Sequence, residues 1–363
     1  MSSPKFHKLT VKNIKKETKD SVSVSFHIPQ DLKADYFYKQ GQYITIKLEL
    51  DGQEEIRRSY SVCSSPLDNE LRVGIKEVEG GKFSTFANKA LREGDQLDVM
   101  TPMGNFYTEL HEGQAKNYVG VASGSGITPI LSIIKTTLAI EKKSNFTLLY
   151  GNKSTGSIMF LEEIEALKNI YLGRLQVFHI LSREAVDVPI LNGRINDLKC
   201  KDFCDKKLID VKNTNEVFLC GPQDMIMSVK DYFEKCGLDS KNIHFELFTT
   251  NAAISAQKSV VAEPIVASGD MAQVSVKIDG ITYQLALDYN GETILDAALK
   301  TGADLPFACK GGVCCTCRAK VTEGTVSMDL NFSLEDDEVK KGYVLTCQSH
   351  PTSPTVFIDF DQK

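Results

Sequence analysis

Four of the chain's ten cysteines lie in one short stretch near the C-terminus, Cys309 to Cys317 (CKGGVCCTC). Cys309, Cys314 and Cys317 follow the spacing C-x4-C-x2-C, and a further cysteine, Cys347, comes later in the chain. Thiolates are strong ligands for iron and zinc, and clustered cysteines in a reducing compartment are more often metal-binding or redox-active than disulfide-bonded. The stretch therefore predicts a metal centre.

The spacing favours an iron–sulfur centre. Two irons bridged by sulfides need four thiolates, and C-x4-C-x2-C with a distant fourth cysteine supplies them to a [2Fe–2S] cluster. Zinc is the alternative, but zinc sites usually have two C-x2-C pairs, and only Cys314 and Cys317 form one here. Gly311 and Gly312 are expected to let the loop curl so that N–H groups point at the sulfurs. Cys315 falls outside the spacing and is predicted to be a packed thiol.

Two stretches in the first third of the chain could hold a flavin nucleotide. The first is Arg58-Ser59-Tyr60-Ser61: arginine pairs with pyrophosphates, an aromatic ring packs on a flavin, and a hydroxyl can hydrogen-bond to its ring. The second comprises Gly81, Lys82, Phe83 and Ser84, which could offer N–H groups and a hydroxyl to a pyrophosphate at a helix start. The first motif is weak by itself, because a polar strand with one tyrosine also occurs by chance.

A glycine-containing turn in GVASGSGITPI could bind the phosphates of a dinucleotide. Gly124 and Gly126 follow an apolar strand and precede a helix, as phosphate binding at a helix start requires. We expect Thr128 to cap this helix and Pro129 to occupy its first position. An ordinary strand–helix turn is the alternative interpretation.

Two later strand ends add candidate nucleotide contacts. FLCGPQDM contains Cys220, Gly221 and Pro222; without other information, Cys220 is a buried core thiol. LSRE contains Ser182 and Arg183, and an arginine beside a hydroxyl suits a 2′-phosphate, which favours NADPH while leaving NADH open. The alternative for Arg183 is a solvated surface side chain.

The order of elements predicts several domains. Residues 8–105 contain short alternating strands with turn signals, typical of an antiparallel barrel. From about residue 117 apolar strands alternate with helices, which indicates a doubly wound parallel sheet. A hairpin around Asp279-Gly280, a helix ending at Gly302 and the cysteine loop form a small α+β unit. The predicted boundaries are 1–110, 111–250, a linker at 251–269, and 270–363.

Composition excludes some classes of function. The 363 residues carry 42 Lys and Arg against 48 Asp and Glu, a net charge of −6 that offers no footprint for nucleic acid. The most apolar helical stretch, 129–140, is too short to span a membrane and contains Lys135. No signal peptide is recognisable, so we expect a cytoplasmic protein without a membrane partner.

Taken together, these motifs resemble a known family. CKGGVCCTCRAKV, MDLNFSLEDDE and GYVLTCQ make residues 270–363 similar to plant-type ferredoxin domains of the β-grasp fold. Residues 8–248, with R-x-Y-S, the glycine turn and C-G, resemble the ferredoxin-reductase superfamily. The order flavin, nucleotide, ferredoxin is that of one-chain oxygenase reductases, and the resemblance covers nearly the whole chain.

The resemblance implies roles for particular residues. It makes Cys309, Cys314, Cys317 and Cys347 cluster ligands. It places Val73 to Lys76 along a flavin, Ser61 near the flavin N5, and Cys220 beside the nicotinamide. It brings Ser182 and Arg183 to the adenosine ribose and Phe248 over the flavin, although core packing of Phe248 is an equal alternative. The pyrophosphate-binding turn favours FAD over FMN.

The function implied is that of an NADPH-dependent reductase. Electrons would pass from NADPH through FAD and a [2Fe–2S] cluster to a di-iron oxygenase component of a monooxygenase. The alternatives are a reductase for another oxygenase or hydroxylase, or a redox-sensing binding module. The acidic run at 335–338 is expected to begin a helix capped by Ser333, with Asp336 completing a capping box, and it could also dock the oxygenase.

Overall fold

The N-terminal elements form an antiparallel sheet in a computed structural model that describes residues 4–50, 54–248 and 271–362. They are β1 (Phe6–Thr18), β2 (Ser21–His27), β3 (Tyr43–Leu50), β4 (Glu54–Ser61), β5 (Leu71–Lys76), helix α1 (Lys82–Lys89) and β6 (Gln96–Met100). The strand order is β4-β3-β6-β1-β2-β5. An antiparallel bridge between Val62 and Val73 joins the two edges of the sheet and closes the predicted barrel.

The barrel core follows the predicted alternation along β2. Val22, Val24 and Phe26 are buried in it, and Ile28 packs against its margin. Alternate residues of a strand face the same side, so this run of β-branched and aromatic side chains contributes to the inside of the barrel together with residues of the other strands.

A five-stranded parallel sheet follows. Its elements are β7 (Asn117–Ser123), α2 (Ile127–Ile140), β8 (Asn145–Asn152), α3 (Leu161–Ile170), β9 (Leu175–Leu181), α4 (Asp197–Asp205), β10 (Glu216–Gly221), α5 (Gln223–Lys235) and β11 (Ile243–Leu247). The order β11-β10-β7-β8-β9 reverses direction between β7 and β10. Ligands bind at such a switch point, beside the carboxyl ends of the strands.

Helix α2 begins earlier than predicted. Its N-cap is Gly126 and its first residue is Ile127, so Pro129 is the third helical residue. The expected cap, Thr128, lies inside the first turn, where its Oγ1 donates to the Ser125 carbonyl oxygen at 3.0 Å. The prediction was wrong because the Gly124–Gly126 turn is itself a short 3₁₀ helix that leads directly into α2.

The C-terminal domain combines a second five-stranded sheet with helices. Its elements are β12 (Met271–Ile278), β13 (Ile281–Asp288), α6 (Ile294–Lys300), β14 (Arg318–Glu323), β15 (Val326–Met328), α7 (Asp336–Lys340), β16 (Tyr343–Leu345), β17 (Ser349–Pro351) and β18 (Thr355–Asp359). The order of the main sheet is β13-β12-β18-β14-β16, and β15 pairs with β17. Asp279 and Gly280 both have positive φ, at 49° and 76°, and join β12 to β13 as the predicted hairpin turn.

Helix α7 is capped by a different residue from the one predicted. The N-cap of α7 is Glu335, which forms a capping box with Glu338, so the expected roles of Ser333 and Asp336 are wrong. The carboxylate of Glu335 takes the place that a hydroxyl was expected to fill. The predicted linker at 251–269 lies outside the described residues.

The described residues form two compact units. The first comprises Phe6–Ile56 and Tyr60–Phe248, the barrel together with the parallel sheet, and the second is built mainly on the C-terminal domain. No helix in the described ranges has the length and apolar character needed to cross a lipid bilayer.

Candidate functional site

The four cysteines of the predicted cluster site lie together in the C-terminal domain. Cys309 Sγ lies 3.2 Å from Cys314 Sγ, and Cys347 contacts both Cys309 and Cys317. Hydrogen bonds from Cys314 and Cys347 hold the pKa of Cys309 far below its usual value. Among the described residues, no three His, Cys, Asp or Glu side chains are arranged to hold a single metal ion. The site is therefore described by the contacts between pairs of its cysteines.

The loop backbone turns sharply between the first two cysteines. Lys310 and Gly312 have φ values of 50° and 71°, so both adopt the left-handed backbone conformation. The prediction had assigned the sharp turn to Gly311 and Gly312. A Cβ at position 312 would lie 2.7 Å from a backbone carbonyl oxygen. With this turn, the N–H groups of Gly311 and Cys314 point at Cys309 Sγ, at 3.3 and 3.4 Å.

Two polar neighbours of Cys347 fasten it to the cysteine loop. The backbone N–H and hydroxyl of Thr346 donate to the Cys317 carbonyl oxygen at 3.1 and 2.9 Å. Gln348 Nε2 donates to the Lys310 carbonyl oxygen at 3.0 Å. Sequence reasoning missed both residues; their polar character beside a candidate ligand in TCQ was the only available signal.

Cys315 faces away from these four thiols. Its Sγ donates to the Ser333 carbonyl oxygen at 3.2 Å, and burial raises its pKa to about 12. The site therefore offers four mutually close thiols, with N–H groups aimed at a sulfur. This donor set fits a [2Fe–2S] cluster, whose sulfurs are commonly hydrogen-bonded by the backbone.

In the N-terminal unit the glycine turn lies against the end of β10. A Cβ at Gly126 would lie 2.1 Å from the Cys220 carbonyl oxygen, so only glycine permits this approach. Gly124 has a φ of 56°, and a Cβ there would have open space around it. Helix α2 starts at this turn without a side-chain cap. An uncapped helix start beside open space fits the phosphates of a dinucleotide.

Three residues from three strands meet beside this turn. Ser61 Oγ donates to Glu246 Oε2 at 2.7 Å. Cys220 is fully buried and pairs in register with Glu246. Burial raises the pKa of Cys220 well above its usual value, and the nearby Glu246 carboxyl group raises it further, so the thiol stays protonated. Burial also raises the pKa of Glu246 to about 7, against the lowering effect of the Ser61 hydrogen bond.

The two predicted flavin motifs contact each other. The half-buried Tyr60 ring packs against Phe83 of α1 with centroids 5.4 Å apart. Helix α1 begins after Gly81 without a side-chain cap, as a pyrophosphate-binding helix start requires. Ser84 is buried, and its hydroxyl accepts from Val78 N at 3.1 Å and donates to the Gly81 carbonyl oxygen at 3.2 Å. The Ser84 hydroxyl therefore holds the turn rather than facing outward.

Strand β5 of the barrel contacts the start of helix α2, which follows the glycine turn. A Cβ at Gly74 would meet Thr128 Cγ2 at 2.7 Å, so this strand packs directly on the first turn of α2. Val73 is fully buried in the barrel core, while Lys76 lies at the strand end with its Nζ 3.7 Å from Asp20.

The remaining predicted contacts lie at the surface. Arg58 is exposed and its Nη1 donates to the Arg57 carbonyl oxygen at 2.7 Å. Ser182 and Arg183 are exposed directly after β9. The other surface positions are Ser59, which is half-buried, Lys82 at the start of α1, and Pro222, the N-cap of α5. Phe248 is 39% exposed, which argues against its packing in a core.

Three family profiles match consecutive parts of the chain. Residues 8–107 match an oxidoreductase FAD-binding domain, residues 121–231 an oxidoreductase NAD-binding domain, and residues 276–352 a 2Fe-2S iron–sulfur cluster binding domain. The chain thus carries domains for FAD, a pyridine nucleotide and a [2Fe–2S] cluster.

Curated relatives match over nearly the whole length. The chain is 43% identical over 358 residues to one subunit of the 1,2-phenylacetyl-CoA epoxidase of Escherichia coli (strain K12), covering 99% of this chain and 98% of that protein. It is 30% identical to the glycine betaine monooxygenase reductase subunit of Pseudomonas aeruginosa, covering 90% of this chain and 88% of that protein. Phthalate dioxygenase reductase has the same fold, with a TM-score of 0.58 at 22% identity over 98% of both chains.

Proposed function

Because the chain belongs to the oxygenase reductases that join FAD-, NAD- and [2Fe–2S]-binding domains in one polypeptide, we propose that it transfers electrons from NADPH to the oxygenase component of a phenylacetyl-CoA epoxidase. That it is an NAD(P)H-dependent electron-transfer oxidoreductase follows from the family. The named acceptor rests on one observation, the 43% identity that extends through all three domains.

The chain's own residues would position the cofactors. Cys309, Cys314, Cys317 and Cys347 would hold the cluster. NADPH releases two electrons together, a [2Fe–2S] cluster accepts one at a time, and FAD, when bound, supplies the conversion between them. Since burial lowers the local dielectric, the Gly311 and Cys314 N–H groups would stabilise the added negative charge on the sulfur side of the cluster.

In the nucleotide-binding part of the chain, buried side chains would position the nicotinamide. Ser61 and Cys220 present a hydroxyl and a thiol beside the switch point, where the nicotinamide would meet the flavin. Both stay uncharged, because burial raises the pKa of Cys220 and a serine hydroxyl does not ionise near neutral pH; Glu246 accepts a hydrogen bond from that hydroxyl and so orients it.

The preference for NADPH rests on Arg183. Its exposed guanidinium follows β9, at the carboxyl edge of the sheet where the adenosine half of the nucleotide would lie. A guanidinium forms paired, charge-assisted hydrogen bonds with a phosphate, which NADH lacks at its ribose. We also place the protein in the cytoplasm, where reduced pyridine nucleotides are available.

An anaerobic titration tests the electron path. NADPH is added to the purified holoprotein while the flavin and iron–sulfur absorbances are followed. We expect both to bleach. Bleaching of the flavin alone would contradict transfer to the cluster, and reduction by NADH but not NADPH would contradict the assignment of Arg183.

A reconstitution tests the acceptor. The reduced protein is mixed with a phenylacetyl-CoA epoxidase oxygenase component, and product is measured per NADPH consumed. The glycine betaine monooxygenase oxygenase serves as the matched comparison. Equal or faster product formation with the second oxygenase would overturn the proposed acceptor and leave the reductase activity intact.

A further inference from the structure

Asn152, the last residue of β8, has a buried side-chain amide that meets no hydrogen-bond partner in the part of the chain that the structure describes. Only 7% of the residue is exposed. Neither Oδ1 nor Nδ2 has a partner among the described residues. Buried polar groups are nearly always satisfied, because a desolvated donor or acceptor without a partner is costly. An amide with both ends unsatisfied among the described residues is therefore a candidate contact for a bound ligand.

The position of Asn152 limits what that partner can be. Alternate residues of a strand share a face, so its side chain lies on the same face as that of Tyr150, whose hydroxyl donates to the Gly124 carbonyl oxygen at 3.0 Å. Burial raises the pKa of Tyr150, and the Asn152 amide is near enough to the Tyr150 hydroxyl to lower that pKa, although the two groups do not meet in hydrogen-bonding geometry. The Asn152 carbonyl oxygen also accepts from the N–H and hydroxyl of Ser182, at 2.9 and 3.2 Å. Asn152 thus lies between the glycine turn and the Ser182-Arg183 segment.

The chemistry of the amide selects one part of a nucleotide. Phosphate oxygens only accept hydrogen bonds and would leave Oδ1 unpaired, whereas a hydroxyl can donate to Oδ1 or accept from Nδ2. Between a turn suited to the pyrophosphate and an arginine suited to a 2′-phosphate lies the adenosine ribose. Its 3′-hydroxyl is the one ribose hydroxyl there that NADPH and NADH share.

We propose that Asn152 binds the 3′-hydroxyl of the adenosine ribose and so fixes the nucleotide between the glycine turn and Arg183. This inference rests on the proposed function, since it names a binding residue for the same nucleotide. Because Asn152 contacts a group common to both nucleotides, it sets affinity for either one, whereas Arg183 sets the choice between them.

Thermal unfolding of the holoprotein gives the first test. Asn152→Ala removes an unsatisfied buried amide, so we expect an unchanged or higher melting temperature without nucleotide and a smaller rise on adding NADP⁺. A lower melting temperature without nucleotide, together with an undiminished rise, would overturn the proposal and make the residue structural. If N152A does not fold, Asn152→Leu, of similar volume, takes its place.

A ligand comparison gives the second test. Binding of 5′-AMP and 3′-deoxy-5′-AMP is measured calorimetrically to wild type and N152A. We expect the missing hydroxyl to weaken binding about fivefold in wild type and not at all in N152A, as for one lost hydrogen bond. The same ratio in both proteins would overturn the role of Asn152.

A matched control separates this site from buried polarity in general. Thr137 in α2 is fully buried, and its hydroxyl has no partner among the described residues. Thr137→Val should leave both affinities unchanged. If wild type binds neither NADP⁺ nor NAD⁺, the proposed function itself fails; if it binds them and N152A binds them equally well, only the inference about Asn152 fails.

Discussion

The Ser61 hydroxyl and the Glu246 carboxyl group, 185 positions apart in sequence, are joined by a hydrogen bond of 2.7 Å. It connects β4 of the barrel to β11 of the parallel sheet, where Glu246 pairs in register with Cys220 of β10. The hydrogen bond stabilises the ionised carboxyl group, but burial outweighs it and raises the Glu246 pKa from 4.5 to about 7.

This raised pKa predicts a stability that depends on pH. The unfolded carboxyl group titrates near 4.5 and the folded one near 7. Its contribution is therefore fully present below pH 4.5 and is lost as pH rises through 7. By linkage, the free energy of unfolding falls by about 3 kcal/mol over this range. Glu246→Gln should remove that decline. Urea unfolding of both proteins between pH 5 and 8 measures it.

The control for this prediction is Glu112→Gln, which changes an exposed glutamate of the same unit. It should keep the wild-type pH dependence. An E246Q protein whose stability declines as steeply as that of wild type would contradict the assignment of the titration to Glu246.

The cysteine loop predicts a difference between two nearby thiol positions. Cys317→Ser removes one of the four clustered thiols and should abolish the visible absorbance of the iron–sulfur centre. Cys315→Ser changes a thiol that faces Ser333 and should retain that absorbance. Flavin reduction by NADPH should persist in C317S because the flavin domain is a separate domain. Loss of the centre in C315S but not in C317S would contradict the proposed ligands.

Close backbone packing at the glycine turn predicts a severe effect of one methyl group. Gly126→Ala would place a Cβ 2.1 Å from the Cys220 carbonyl oxygen. The necessary backbone shift should cost about 1–3 kcal/mol of stability and weaken NADPH binding. Gly156→Ala, where a Cβ meets nothing within 4 Å, is the control and should change neither. Chemical unfolding and nucleotide titration measure the two effects; a G126A protein as stable as G156A would refute the packing argument.

The exposed arginine after β9 predicts a change in nucleotide preference. Arg183→Ala should raise the KM for NADPH about tenfold, as for one lost charged hydrogen bond, and leave that for NADH unchanged. Lys212→Ala makes the same change of charge at an exposed position. Lys212 precedes β10, so it lies at the amino end of a strand, whereas Arg183 lies at the carboxyl end of one. It should affect neither nucleotide. An equal rise in KM for NADPH and NADH in R183A would show that Arg183 does not bind the 2′-phosphate.

Local sequence was sufficient where chemistry and backbone conformation are set by neighbours in the chain. The C-x4-C-x2-C spacing placed three clustered thiols, Asp279-Gly280 predicted the hairpin that joins β12 and β13, and strand–helix alternation indicated the parallel sheet. The error at α2 arose because residue preferences identify a helix start only within a few positions. A turn of 3₁₀ helix before Ile127 moved the cap to Gly126.

The buried polar groups at the strand ends could not be predicted from neighbouring residues in the sequence. Neither Glu246 in HFELF nor Asn152 in YGNK belongs to a recognisable motif, because their importance comes from burial and from partners distant in sequence. Likewise, the left-handed conformation of Lys310 follows from the close packing of the loop rather than from a preference of lysine.

The sequence by itself determined which groups are available: four thiols in a ferredoxin spacing, glycine turns after apolar strands, and an arginine after β9. It did so because ligand chemistry and turn conformation depend on residue type and short-range spacing. Only the tertiary structure decided which groups are desolvated and what they meet. Burial raises the pKa of Glu246, and it removes water from an Asn152 amide that has no partner among the residues described. Burial is a property of packed strands rather than of any one segment.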